Sequence, residues 1–230
     1  MNLFEFDKSF NKVIVGTDEA GRGPAAGGVF ASAVFINDVS IEKDLAKLND
    51  SKKLSKKVRE ELYDIILNNT INSTICVEVD EIEKYNILNC SLKAMKMACE
   101  EVINQLISCH SELVSESCQL ENEKLIDKNL LTIVDGNKLI KNYNYPQQFI
   151  IKGDGKSASI ASASILAKVT RDRYMDKLDE EFPHYNWKKN AGYLTKEHQN
   201  AILKYGVTKY HRKSFLKKLL NTEPKQLSLI

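Results

Sequence analysis

Three short apolar segments of the chain each end in a carboxylate beside a glycine. Asp18 and Glu19 follow KVIVGT, Asp135 follows LLTIV, and Asp154 follows FIIKG. In an open α/β sheet, sites form at strand ends where the connections diverge, so these acids are expected to meet. Carboxylates that converge in this way repel each other strongly unless a cation lies between them.

The chemistry of these four side chains favours Mg²⁺ or Mn²⁺ over Zn²⁺, because every ligand is an oxygen and neither His nor Cys lies nearby in sequence. Four carboxylates can hold two such ions about 4 Å apart, which is the arrangement used for phosphodiester hydrolysis. Neighbouring residues on a regular strand face opposite ways, so Asp18 and Glu19 share a site only if the strand ends or twists between them. Each acid taken alone is more often a turn residue or a helix cap.

The elements that must position these acids follow from periodicity and from turn residues. Strands are predicted at 12–17, 27–36, 73–79, 131–134 and 149–152. Helices are predicted for about fourteen residues after the N-cap Ser55, from a capping box at Asp80 and Glu83 to about residue 107, and near 157–181, 195–205 and 213–220. In the long helix near 157–181, small residues on one face would let it lie close to a sheet.

The simplest organisation is one domain over 1–182, a helical C-terminal appendage of that domain over 183–220, and a tail over 221–230. Segment 108–129 is polar, acidic and weakly periodic, which indicates a surface insertion or a frayed helix extension. Within the glycine-rich connection at 21–24, GRGP is equally compatible with a simple tight turn.

Composition excludes several classes of protein. The chain has 230 residues, of which 43% are hydrophobic and 28% charged, as is typical of globular domains. No stretch reaches the roughly 18 apolar residues that a membrane helix needs, and the N-terminus does not resemble a secretory signal. The five cysteines form no CxxC pair, which indicates free thiols and a cytoplasmic location.

The charge is unevenly distributed along the chain. Residues 1–140 contain 16 Lys and Arg against 23 Asp and Glu, whereas residues 141–218 contain 16 against 7. An acidic front and a basic back suit an enzyme that binds both metal ions and a polyanion. An ordinary solvated surface with uneven charge is the other interpretation.

Taken together, these segments resemble those of the ribonuclease HII family, the type 2 ribonucleases H. The resemblance covers about residues 12–216 and is carried by seven motifs in the family's order. They are GTDEAGRGPAAG (16–27), DSKKLS (50–55), IVDGN (133–137), KGD (152–154), SASILAKVTRDR (162–173), AGYLT (191–195) and HRKSF (211–215). Each motif alone is weak, but the combination is specific.

The resemblance implies an RNase H-like α/β fold: a five-stranded mixed sheet flanked by helices, with a helical C-terminal part. It implies an endonuclease that cleaves the RNA of RNA–DNA hybrids and cuts 5′ to ribonucleotides embedded in duplex DNA. The reaction would be two-metal-ion hydrolysis with Mn²⁺ or Mg²⁺ and would leave 3′-hydroxyl and 5′-phosphate ends. Removal of misincorporated ribonucleotides and RNA primers would follow.

The resemblance also assigns roles to residues. Asp18, Glu19, Asp135 and Asp154 fall on the family's metal-binding carboxylates, with Asp18 between the two ions. Gly21, Arg22 and Gly23 fall on the motif that senses the ribose 2′-hydroxyl, and Tyr193 on the residue that stacks on the following sugar. Lys52, Lys53 and Lys168 are candidate phosphate contacts, and His211, Arg212 and Phe215 fit either a packing or a substrate role. His110 and His198 are interpreted as surface residues.

Two departures from the family pattern are segment 108–129 and Gly28, which stands where the family often has proline. The tail QLSLI (226–230) resembles a short sliding-clamp-binding peptide without its terminal aromatics, and the chain is expected to be a monomer. Competing interpretations are the sister type ribonuclease HIII, a hybrid-binding module without catalysis, and another RNase H-like nuclease such as an exonuclease.

Overall fold

A twisted five-stranded sheet forms the centre of the molecule. The structure is a computed structural model that describes residues 1–111 and 129–221. The strands are β1 (Val13–Ala20), β2 (Val29–Phe35), β3 (Ile71–Val77), β4 (Leu130–Asp135) and β5 (Gln147–Ile150). Their spatial order is β3-β2-β1-β4-β5. The β1–β2 and β2–β3 pairs are antiparallel and the β1–β4 and β4–β5 pairs are parallel, so the sheet is mixed.

Helices cover both faces of the sheet and build the C-terminal part. They are α1 (Leu3–Lys8), α2 (Lys56–Asn69), α3 (Val79–Tyr85), α4 (Ile87–Ser111), α5 (Ala158–Glu181), α6 (Trp187–Asn190), α7 (Lys196–Tyr205) and α8 (Lys217–Leu220). Short 3-10 turns lie at Val39–Glu42, Gly153–Gly155, Pro183–Tyr185 and Lys213–Phe215. The predicted fold class, a mixed five-stranded sheet flanked by helices, is confirmed.

Helix α5 lies unusually close to β1 because the contact residues are small. A Cβ atom added to Gly16 would lie 2.4 Å from the backbone carbon of Ser159, so any other residue there would push the helix away. Ala158, Ala161 and Ala163 on α5 are fully buried in the core on this face, together with residues of α2. The close approach holds the end of β1 in a fixed position relative to α5.

The opposite face of the sheet packs against α4. Alternate residues of β2, namely Val29, Ala31 and Ala33, contribute to this core, whereas Val34 belongs to the core on the α5 side. This alternation is the period of two expected for a strand with both faces covered. A third core, which contains Trp187 and Leu216, joins the C-terminal helices to the main body.

Several predicted boundaries differ from the observed ones. Strand β1 continues to Ala20 instead of ending at residue 17, because its antiparallel pairing with β2 extends to the pair Ala20–Phe30. The capping box at Asp80 and Glu83 is wrong: α3 begins at Val79 after Glu78, whose side chain makes no capping hydrogen bond. The single helix predicted to residue 107 is interrupted at Asn86, which has φ 67°.

The remaining sequence expectations concern segments at the margins. Helix α4 extends through residues 108–111, the start of the segment interpreted as a surface insertion or a frayed helix extension. Residues 112–128 of that segment and residues 222–230 of the tail lie outside the described residues. Among the described helices, each one is too short or too polar to cross a bilayer. Cys76, Cys90 and Cys99 are free thiols.

Candidate active site

A cleft of about 320 Å³ opens at the edge of the sheet where β1 and β4 end. All four predicted carboxylates line it. The lining residues are Asp18, Glu19, Ala20, Gly21, Arg22, Ser51, Lys52, Asp135, Asp154, Ser164, Lys168, Arg171 and Tyr193. Residues from six separate segments of the chain therefore line the same cleft. Such a site is expected at strand ends where the connections diverge.

Asp18 and Glu19 share the cleft although β1 does not end between them. The parallel pairing of β1 with β4 ends at Thr17 and Val134, so the strand projects past its neighbour on that side. Asp18 is only 6% exposed. Its Oδ1 atom accepts a hydrogen bond of 2.7 Å from the amide of Glu19, and its carboxylate also bonds the Ser164 side chain.

Asp135 and Asp154 are connected through the turn that follows β5. Asp135 is the last residue of β4, and its Oδ1 atom accepts a hydrogen bond of 2.7 Å from the amide of Gly153. Gly153 begins the 3-10 turn that contains Asp154, after Lys152 in a left-handed conformation with φ 55°. The hydrogen bond fixes the two acidic segments relative to each other.

The surroundings of Asp18, Glu19 and Asp154 disfavour the ionised form of these three side chains. Burial, followed by the charges of Glu19 and Asp135, raises the pKa of Asp18 well above its ordinary value. Burial raises the pKa of Glu19 as well, against the opposing effect of Arg22, whose Nη1 atom donates a 3.0 Å hydrogen bond to Glu19 Oε1. Burial and the charges of Asp135 and Asp50 raise the pKa of Asp154.

This donor set fits hard divalent cations. All four carboxylates offer oxygen, the ligand preferred by Mg²⁺ and Mn²⁺, and a cation among them would reverse the effect of like charges on pKa. Within residues 1–111 and 129–221, no three acidic, histidine or cysteine side chains are gathered closely enough to hold an ion as they stand.

The glycine-rich loop after β1 packs directly on a buried arginine. Gly21 has φ 103°, and a Cβ atom there would lie 2.4 Å from Arg171 Nε, so this position requires glycine. Arg171 is 1% exposed, and its Nη2 atom donates hydrogen bonds to the carbonyls of Ala26 (3.2 Å) and Ala191 (3.0 Å). It therefore ties this loop to the segment that carries Tyr193.

Arg212 holds the same loop from the protein interior. Its side chain is fully buried and donates hydrogen bonds of 2.9–3.3 Å to carbonyls of the loop. The four acceptors are the carbonyl oxygens of Arg22, Pro24, Gly27 and Gly28. Of the two roles left open by the sequence, packing is the one that these contacts support.

Tyr193 lies beside Gly23 at the rim of the cleft. Its side chain is 52% exposed. A Cβ atom added to Gly23 would lie 3.2 Å from Tyr193 Cε1, so glycine provides the space that this ring occupies. Gly23 itself is not among the lining residues of the cleft.

The three predicted lysines are divided between two environments. Lys52 and Lys168 line the cleft, and Lys168 also pairs with Asp172 at 2.5 Å. Lys53 is exposed and lies outside the residues that line the cleft. The structure thus brings two of the three lysines to the carboxylates.

The interpretation of His198 as a surface residue is wrong. His198 is 0% exposed and His211 is 2% exposed, and their Nε2 atoms lie 3.1 Å apart. His110 lies in a part of α4 whose side chains are not described. Helical periodicity could have indicated the burial of His198, because Ala201 and Ile202, three and four residues later, are buried as well.

Sequence reasoning also assigned no role to Arg171, Ser51 and Ser164. Ser51 and Ser164 are buried beside the cleft, with their hydroxyl oxygens 3.0 Å apart. All three residues lie within motifs already quoted for the family resemblance, so the motifs themselves were the available signal.

A mixed five-stranded sheet with four carboxylates beside the ends of β1, β4 and β5 is the architecture of a metal-dependent nuclease of the ribonuclease H class. The family model described as ribonuclease HII matches residues 15–218 of the chain. A ribonuclease HII of Fusobacterium nucleatum is 45% identical over 222 residues, which cover 96% of this chain and 93% of that protein. The chain belongs to the ribonuclease HII family, and it is a metal-dependent ribonuclease H.

Solved structures agree with the fold. The complex of PCNA and RNase HII from Archaeoglobus fulgidus matches with a TM-score of 0.57 and 23% identity, covering 94% of this chain and 98% of that chain. A Bst-RNase HIII in complex with Mn²⁺ matches with a TM-score of 0.64 and 14% identity, covering 91% and 70%. Because both sister types share the fold, the family model and not the fold distinguishes them.

Proposed function

We propose that this chain cuts duplex DNA on the 5′ side of an embedded ribonucleotide, in addition to cleaving RNA in RNA–DNA hybrids. The products would carry 3′-hydroxyl and 5′-phosphate ends, and the enzyme would serve the removal of misincorporated ribonucleotides and RNA primers. One observation carries this proposal: the four carboxylates, the loop with Gly21 and Arg22, and the ring of Tyr193 all border one cleft.

Asp18, Glu19, Asp135 and Asp154 would hold two divalent cations, Mn²⁺ or Mg²⁺. When bound, such ions supply an activated water and stabilise the leaving oxygen of a phosphodiester. The protein's own contribution is to orient the ligands before the substrate arrives. The amide of Gly153 orients Asp135, and the guanidinium of Arg22 orients Glu19.

Recognition of the ribose would fall to the glycine loop and to Tyr193. The absence of a Cβ atom lets Gly21 pack on Arg171 and Gly23 pack beside the Tyr193 ring, which would hold the backbone of Gly21, Arg22 and Gly23 at the rim of the cleft. A 2′-hydroxyl both donates and accepts hydrogen bonds, so backbone groups of this loop would recognise it. The half-exposed ring of Tyr193 would stack on the next sugar and favour deoxyribose, which selects the junction between RNA and DNA.

Lysine side chains near the acids would bind the phosphodiester backbone of the substrate. Lys52 and Lys168 line the cleft beside the carboxylates. Contacts of lysine with phosphate add affinity without sequence preference and weaken as salt rises. Lys53, which is exposed and does not line the cleft, would contribute less than the other two.

A cleavage map tests this function directly. A DNA duplex with one ribonucleotide is incubated with the enzyme and Mn²⁺ or Mg²⁺, and the ends of the products are identified. We expect one cut on the 5′ side of the ribonucleotide and no cut in the all-DNA duplex. Cleavage of a long hybrid without a cut at the single ribonucleotide would contradict the proposal, whereas binding without any cleavage would favour a binding module.

Tyr193→Ala should reduce the cut at a single ribonucleotide more than the cleavage of a long hybrid. Tyr205→Ala is the matched control, because Tyr205 is similarly exposed but does not line the cleft. Equal losses on both substrates in Tyr193→Ala would remove the junction-selecting role from this residue.

The tail is proposed to bind a sliding clamp, on the resemblance of QLSLI (226–230) to a clamp-binding peptide. The relevant residues lie outside the described part of the chain. Deletion of 224–230 should abolish retention of the enzyme by the clamp and leave cleavage of a short duplex unchanged. Retention that survives the deletion would exclude the tail.

A further inference from the structure

Three buried aromatic side chains form a hydrogen-bonded chain behind the segment that carries Tyr193. Trp187, His198 and His211 are each 2% exposed or less. Trp187 Nε1 donates to His198 Nε2 at 3.0 Å, and the Nε2 atoms of the two histidines lie 3.1 Å apart. We call these three residues the histidine–tryptophan cluster.

The groups at the two ends of the cluster determine which ring nitrogens carry protons. The amide of Thr208, which can only donate, lies 2.9 Å from His211 Nδ1, so that nitrogen accepts. Neutral His211 therefore has its proton on Nε2 and donates it to His198 Nε2. The indole of Trp187 can also only donate, so His198 Nε2 accepts from both sides.

It follows that neutral His198 carries its proton on Nδ1. This nitrogen lies 3.0 Å from the carbonyl oxygen of Tyr193 and donates to it. The same carbonyl accepts a hydrogen bond of 2.8 Å from the amide of Thr195. The backbone of Tyr193 is thereby held by a side chain that is itself fixed by Trp187 and His211.

The protonation state agrees with this geometry. Burial lowers the pKa of His198, and burial followed by the proximity of His198 lowers the pKa of His211 to about 4. Both rings are therefore neutral at pH 7. A proton on His198 Nε2 would face two donors, which is a further reason for the neutral form.

The other end of the cluster is attached to the glycine loop. His211 forms an isolated antiparallel bridge with Ala26, and the amide of Arg212 donates to the carbonyl of Ala25 at 2.8 Å. The amide of Ala25 in turn donates to the carbonyl of Gly192, next to Tyr193, at 2.9 Å. The cluster therefore connects the two structures that border the substrate cleft, namely the loop and the tyrosine segment.

From these contacts we infer that His198 is a positioning residue for Tyr193: it sets the place of the tyrosine ring relative to the glycine loop and so determines the preference for RNA–DNA junctions. The inference rests on the proposed function of Tyr193. His198 itself is buried and touches no substrate. Its effect on the reaction passes through the carbonyl oxygen that it holds.

The test compares two substitutions of nearly equal size. His198→Asn keeps a donor near the Nδ1 position, whereas His198→Leu has none. The measured quantity is kcat/KM for a duplex with one ribonucleotide divided by kcat/KM for a long hybrid, at a temperature where each variant is folded. We expect this ratio to fall about tenfold in His198→Leu, the effect of one hydrogen bond, and to be largely restored in His198→Asn.

A double-mutant cycle separates positioning from general destabilisation. If His198 acts through Tyr193, then His198→Leu should change the ratio no further in a Tyr193→Ala background. His184→Leu is the matched control, because His184 is exposed and stacks on Tyr205 away from the cluster. Equal losses on both substrates in His198→Leu, or a full effect in the double variant, would overturn the inference.

A measurement on the unmodified enzyme covers the case in which His198→Leu does not fold. Nitrogen-15 NMR of the imidazoles should show the Nδ1–H tautomer for His198 and the Nε2–H tautomer for His211. The opposite tautomer at His198 would overturn the inference, because Nδ1 would then have no proton to donate. Failure of the unmodified enzyme to cut at a single ribonucleotide would instead contradict the proposed function, so the two failures are distinguishable.

Discussion

The cleft and the C-terminal part both bury ionisable side chains, but the charges and hydrogen-bond partners around these side chains differ. In the cleft, Asp18 and Glu19 are buried next to further acids, and this proximity adds to the cost of their charge. In the C-terminal part, burial and the charge of Arg171 lower the pKa of Arg212 to about 10, but four neutral carbonyls accept hydrogen bonds from its guanidinium. The cleft is therefore arranged for a ligand that brings positive charge, whereas the arginine region is complete without one.

This difference separates the residues that serve chemistry from those that serve rigidity. Acids that raise each other's pKa lower the stability of the metal-free protein, which is the usual cost of a preorganised site. Arg212 and the histidine–tryptophan cluster lie one layer behind and fix the loop and Tyr193. Substitutions in the two regions should consequently have opposite effects on stability.

Asp18→Asn should give the largest loss of activity. Removal of this proposed metal ligand is expected to lower the cleavage rate by about 10³-fold or more, because a bound metal supplies several kcal/mol of transition-state stabilisation. Rates are measured on a long hybrid in Mn²⁺ and Mg²⁺. Asp64→Asn, an exposed acid outside the cleft, is the control. Near-normal activity in Asp18→Asn would contradict the assignment of this ligand.

The same variant should be more stable than the unmodified protein in the absence of metal at pH 7. The folded-state pKa of Asp18 is raised, so its charge destabilises the fold above that pKa, and the penalty disappears as pH falls toward the unfolded value near 3.8. Thermal unfolding in a chelator should therefore show a gain at pH 7 that shrinks at pH 4. A loss of stability in Asp18→Asn at pH 7 would show that the charge of Asp18 does not destabilise the metal-free protein, and the proposed difference between the two regions would be wrong.

Arg212→Ala should destabilise the protein by about 3–5 kcal/mol, because it leaves several buried carbonyls without donors. Urea unfolding measures this change, and Lys213→Ala, an exposed neighbour, should alter stability by less than about 0.5 kcal/mol. Arg212→Lys keeps the charge but has no planar fork, so it should recover only part of the loss. An unchanged unfolding midpoint in Arg212→Ala would show that the loop does not depend on this arginine.

Gly23→Ala should have the smallest effect. Its new methyl group would lie 3.2 Å from Tyr193 Cε1, so the ring must move by a few tenths of an ångström. We expect a fall of about two- to fivefold in the preference for a single ribonucleotide over a long hybrid, with stability changed by less than about 1 kcal/mol. Gly155→Ala, where a Cβ atom meets nothing within 4 Å, is the control. An equal preference for the single ribonucleotide in the two variants would show that Gly23 does not affect this preference through Tyr193.

Local patterns were sufficient for most of the elements and for the four acids. Ser55 caps α2 as predicted, since a cap depends only on neighbouring amides. The acids were found because each follows an apolar strand, and strand ends of a sheet meet at one edge. The family motifs then supplied the substrate and the class of reaction.

Tertiary structure alone decided how buried polar side chains are used. Arg212 bonds the carbonyl of Gly27, 185 residues earlier in the chain, and no local pattern specifies such a partner. The helical spacing of His198 with Ala201 and Ile202 is compatible with burial, but the tautomer of His198 depends on its contacts with Trp187 and His211, which belong to other segments. Asp18 and Glu19 share the cleft because β1 extends beyond the end of its pairing with β4, and the extent of that pairing is a property of strand register. Local sequence fixes which groups are present, whereas contacts between distant segments determine the solvent, charge and hydrogen bonds that each group meets.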